Sequence, residues 1–168
     1  MKSKKNEYFE TLKIMASLGS SLCGNLYGKS YSDSFFYEVS EKNLQLTKKC
    51  ISRLQQSFIT PIEREDIANI CLKLYRLNNT LCQLYYSALH QQVNIGDKRN
   101  TLNHVKDISE MCLYFENVFE NFFNTDIKFS TFTNFPLKRN ELFDIIKRCY
   151  VLCDEVFDCI TIAQVKNI

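Results

Sequence analysis

The amino-acid sequence predicts an all-α protein, an antiparallel bundle of about five long helices. Three observations predict it. Apolar residues recur in alternating steps of three and four along three separate runs. Such a seven-residue pattern keeps one seam facing its neighbours and suits helices packed side by side. Only four glycines and two prolines occur in 168 residues, so turn formers are scarce. The length suits one domain, residues 1–168, large enough to bury a core without staples.

The elements follow in order. Phe9, Leu12, Met15, Leu22 and Leu26 predict a first helix over 6–27, loosened at Gly19. Val39, Leu46, Cys50, Leu54 and Phe58 give a weaker stripe and predict a second helix over 34–57. Ile67, Ile70, Leu74, Leu77, Leu81, Leu84 and Ala88 predict the third, over 61–91. Val105, Ile108, Cys112, Phe115, Phe119 and Phe122 predict the fourth, over 99–123. Leu142, Ile145, Cys149, Leu152, Val156, Cys159 and Ala163 predict the fifth, over 138–164. Polar joints at Gly28–Ser34 and Asn94–Asp97 separate helices. Asn124 to Leu137 is rich in Thr, Phe and Asn, which favours extended or irregular backbone over helix.

Composition excludes several function classes. A net charge of +2 gives no footprint for nucleic acid or an anionic membrane. Ile14 to Gly28 carries no charge, yet it is too short and too polar to span a bilayer. Lys2, Lys4 and Lys5 precede it, but Glu7 and Glu10 spoil a basic leader, so the stretch reads as a helix face. The eight cysteines (Cys23, Cys50, Cys71, Cys82, Cys112, Cys149, Cys153 and Cys159) fall mostly on apolar helical faces. Thiols placed so act as small hydrophobes, and the expectation is reduced cysteines in a cytoplasmic compartment.

The third helix carries the most specific string, Phe58-Ile59-Thr60-Pro61-Ile62-Glu63-Arg64-Glu65-Asp66-Ile67. Thr60 is placed to be the N-cap, Pro61 the first helical residue, and Glu63 the carboxylate reaching back to the cap. Glu63, Glu65 and Asp66 put negative charge where the helix dipole favours it. Pro61-Ile62-Glu63-Arg64-Glu65-Asp66-Ile67 is paralleled by Pro136-Leu137-Lys138-Arg139-Asn140-Glu141-Leu142, each string opening a long heptad run.

The Phe58–Ile67 string closely resembles the stretch that opens the third helix of the PhoU-like phosphate-transport regulators, in the branch found beside low-affinity phosphate transporters. A weaker likeness runs through the second and third helices. At the C-terminus it takes in Cys153-Asp154-Glu155-Val156 and Val165-Lys166-Asn167. The resemblance implies two similar three-helix units, of which this chain has room for five helices, with one lost or replaced by the Asn124–Leu137 loop. It implies a regulatory or accessory protein of phosphate uptake, not an enzyme. Such a protein acts by contact with the cytoplasmic side of a phosphate transporter. Arg64, Glu65 and Asp66 are then the candidate partner contacts. A homo-oligomer is compatible with this reading. Nucleic acid and membrane insertion are not expected.

The family gathers metal ions with Glu-x-x-x-Asp pairs, because positions four apart share a helical face. Here the matching positions are Ser40 and Leu44, then Tyr75, Arg76 and Asn79, then Lys147 and Val151. None is a carboxylate and two are cationic, so no metal cluster and no cofactor are expected. Asp154, Glu155 and Asp158 remain, on one helix, enough for at most one weakly held ion. Cys149 and Cys153 share a face and could join Cys112 or His104 in a zinc site, although a core seam explains them as well. No catalytic residue is predicted. Seam thiols are usually inert, and the Tyr side chains at 75, 85, 86, 114 and 150 suit helix edges and interfaces. A second reading is a diverged helical scaffold that kept the fold without metal binding or phosphate regulation.

Overall fold

A computed structural model describes residues 4–28, 32–124 and 140–167, with side chains from residue 7 onward. The protein is all-α: α1 (Lys4–Tyr27), α2 (Asp33–Gln56), α3 (Arg64–His90), α4 (Arg99–Glu120) and α5 (Glu141–Lys166). A single 3-10 turn, Ile95–Asp97, precedes α4. No strand occurs among the described residues. The string 136–139 and most of the loop expected over 124–137 lie outside them.

α1 packs against α2, α3 and α4, and α3 packs against α1, α2 and α5. This explains why Ile14 to Gly28 carries no charge: Met15, Leu18, Leu22, Cys23 and Leu26 are all buried. No helix is long and apolar enough to cross a membrane among the described residues. Gly19 does not loosen α1, which runs unbroken through it. Its role is close approach, because a Cβ there would lie 2.7 Å from Cys112 Sγ on α4 and 3.0 Å from Asn78 Oδ1 on α3.

The seam residues of α3 and α4 are buried as their periodicity requires. Each large apolar side chain so removed from water contributes roughly 1.5–3 kcal/mol before entropy is counted. In α5 the buried face is broader than a heptad seam. Cys153 and Ile160 are fully buried, while Leu152 and Cys159 are only partly so. α2 is less apolar because its buried stripe includes Asn43 and Thr47. Asn78 Nδ2 donates to the Met15 carbonyl at 2.9 Å and to Asn43 Oδ1 at 3.1 Å. Asn43 Nδ2 donates to the Tyr75 carbonyl at 3.1 Å. This amide relay ties α1, α2 and α3 together. A buried polar contact fixes the register of packed helices, since any slip leaves amides unsatisfied.

Directions follow from the side-chain pairs. Glu7 near the start of α1 meets Arg53 near the end of α2 at 3.4 Å. Ser20 of α1 donates to Glu116 of α4 at 3.3 Å. Lys73 of α3 pairs with Glu155 of α5 at 2.7 Å. With Lys13 of α1 also paired to Glu120 of α4, and Lys166 of α5 to Glu63 before α3, all these neighbours are antiparallel. α4 and α5 instead run parallel: His104 meets Tyr150, Tyr114 meets Phe157, and Gln164 Nε2 donates to the Phe122 carbonyl.

Candidate functional site

The corner between α2 and α3 holds the distinctive string, and it departs from the expected capping box. α3 begins at Arg64, not at Pro61, and Glu63 occupies the N-cap position without a side-chain capping bond. Thr60 does not cap the helix; its hydroxyl donates to the Ile62 carbonyl at 2.6 Å. Tertiary structure sets this start. Ile62 is buried in the core, and the chain must dip inward before the helix can begin. Arg64 then turns back on α2. It donates to the Leu54 carbonyl at 2.9 Å and also to the Ser57 carbonyl, closing the open end of that helix. The planar guanidinium suits this two-carbonyl bond better than an ammonium does.

The other face of the corner is closed by α5. Lys166 Nζ lies 2.9 Å from Glu63 Oε2 and 3.3 Å from both Asp66 oxygens. Those two carboxylates raise the Lys166 pKa, Glu63 contributing most. Of the three candidate contacts, Arg64 and Asp66 thus have partners inside the chain, and Asp66 is only 6% exposed. Glu65 is exposed. What the corner presents outward is apolar. Phe58 is 97% exposed and Ile59 76%. Phe58 does not continue the buried stripe of α2, because the helix ends at Gln56. Val165 and Ile162, close to Lys166 on α5, are also more than half exposed.

The remaining acidic residues do not converge. Glu155 is paired with Lys73 across to α3, and Asp158 is exposed. Asp154 has one carboxylate oxygen buried without a hydrogen-bond partner. Burial, and then the Asp158 charge, push its pKa up. Arg76, Lys147 and Val151 face outward, while Tyr75 and Asn79 serve the amide relay, Asn79 Oδ1 accepting from Asn43 at 3.3 Å. No group of three or more His, Cys, Asp or Glu side chains is arranged to hold a metal ion among the described residues.

Six of the eight thiols fall in two buried groups. Cys23, Cys112, Cys149 and Cys153 meet between α1, α4 and α5, close enough for their charges to oppose one another. Burial is the main cause of their raised pKa values, with Cys112 pushed up to about 12. Cys149 and Cys153 lie near Cys112 and Cys23, but among the described residues these thiols are not arranged to hold a metal ion, so the zinc site their spacing allowed does not form. Cys71 Sγ donates to Met15 Sδ at 3.8 Å, and the Cys50 thiol beside it between α2 and α3 pushes the Cys71 pKa up. All eight cysteines are free thiols.

His104 belongs to a different cluster. The Tyr150 hydroxyl, on a fully buried ring, lies 2.7 Å from His104 Nδ1 and 3.1 Å from Asp107 Oδ2. The hydroxyl has one proton. Both contacts are satisfied when Tyr150 donates to Asp107 and His104 Nδ1–H donates to Tyr150. Burial lowers the His104 pKa, with Asp107 partly opposing it. His104 and Asp107 stand three apart on one face of α4, a signal visible in sequence. Their partner on α5 was not.

Compared with known proteins, the chain matches no family model, no curated protein and no solved structure.

Proposed function

We propose that this chain is a non-enzymatic accessory protein of phosphate uptake, acting by contact with the cytoplasmic side of a phosphate transporter. One observation carries the contact reading: the α2–α3 corner holds Phe58 and Ile59 almost fully in water. Two adjacent large apolar side chains held in water on a fixed frame offer a surface that a partner can bury. The frame here is braced on both sides, by Arg64 against α2 and by Lys166 against Glu63 and Asp66. The same ten residues carry the resemblance to the PhoU-like regulators, which is what supports phosphate uptake as the setting. Glu65 is the charged side chain left outward beside the apolar pair. Affinity purification of the tagged protein from its native cell tests the reading, with phosphate uptake measured after deletion of its gene. Recovery of a phosphate transporter is the expected result. Failure to recover one, with uptake unchanged, overturns it.

The second reading is a helical scaffold that kept the fold without the regulatory role. What supports it is a position where the resemblance expects a carboxylate: Asn79 stands there, and its Oδ1 accepts from the Asn43 amide at 3.3 Å. A transporter gene beside this one favours the first reading, and its absence favours the second.

A further inference from the structure

We draw no further inference here: the strongest candidate, the groove of about 420 Å³ between the first turns of α4 and α5 lined by Lys98, Arg99, Thr101 and Asn140, rests on a helix N-terminus and exposed cations with no second observation that points to a ligand.

Discussion

Three side chains decide local structure in ways that single substitutions expose. Asn140 is a working N-cap, its side chain accepting from the Phe143 amide at 2.9 Å. Asn140→Ala should cost about 1 kcal/mol. Thr60→Ala removes a turn hydrogen bond instead of a cap and should cost less, whereas Arg64→Ala strips charged donors from two carbonyls and should cost about 1–2 kcal/mol. Urea denaturation of the three variants checks the order; a Thr60→Ala loss equal to that of Asn140→Ala would restore the capping box. Gly19 and Gly24 make a matched pair on α1. Gly24 has nothing within 4 Å of an added Cβ, so Gly24→Ala should stabilise by about 0.5–1 kcal/mol through helix propensity. Gly19→Ala gains the same propensity but drives a methyl into buried Cys112, so it should destabilise. Melting temperatures moving in opposite directions are the expected outcome.

His104 gives a pH dependence with a definite sign. Its folded-state pKa lies below the ordinary value, so below about pH 6.5 the unfolded chain takes up the proton first. The contribution is fully present above the unfolded-state value and is lost as pH falls through the folded-state one. Asp154 has the opposite slope in the ordinary carboxylate range, because its folded-state pKa is raised. Denaturation midpoints between pH 5 and 8 should rise with pH, and His104→Gln should flatten that rise. A midpoint that falls with pH in the parent, and flattens in the variant, contradicts the assignment.

At the scale of elements, periodicity alone located all five helices, and their ends fall within three residues of the expected limits. The signal is strong because a buried seam repeats several times per helix, as in α3 from Ile67 to Ala88. What periodicity does not carry is which helix meets which. The parallel course of α4 and α5 is one such pairing, and the Tyr150–His104–Asp107 contact exists only because of that course. The start of α3 departs from its local pattern for a related reason. Thr60, Pro61 and Glu63 satisfy a local capping pattern, but burial of Ile62 and the reach of Arg64 to α2 are tertiary facts that override it. Asn43 and Asn78 carried a weak signal, polar residues standing on apolar stripes. Replacing Asn78 by Ala should cost about 1–3 kcal/mol, since the Asn43 and Met15 acceptors lose their donor in the core. Denaturant unfolding measures that loss, and an unchanged midpoint would remove the relay as a determinant of register.

At the scale of the whole molecule, the buried core and the exposed apolar pair at the α2–α3 corner are separated in space. The thiols belong to the packed interior, with seven buried and Cys159 half-buried. Native protein should therefore react slowly with a thiol reagent at neutral pH, and all eight cysteines should react once the chain is unfolded. A single fast thiol in the native state would instead point to thiol chemistry. The outward apolar pair at the α2–α3 corner contributes little to the core, so it can be changed without unfolding the protein. The Phe58→Ser, Ile59→Ser double variant should keep the parent's melting temperature. The most direct test is affinity purification of the parent and this double variant from native cells. The account predicts that a phosphate transporter is recovered with the parent and lost with the equally stable variant. Equal recovery with both, or no transporter with either, would contradict it.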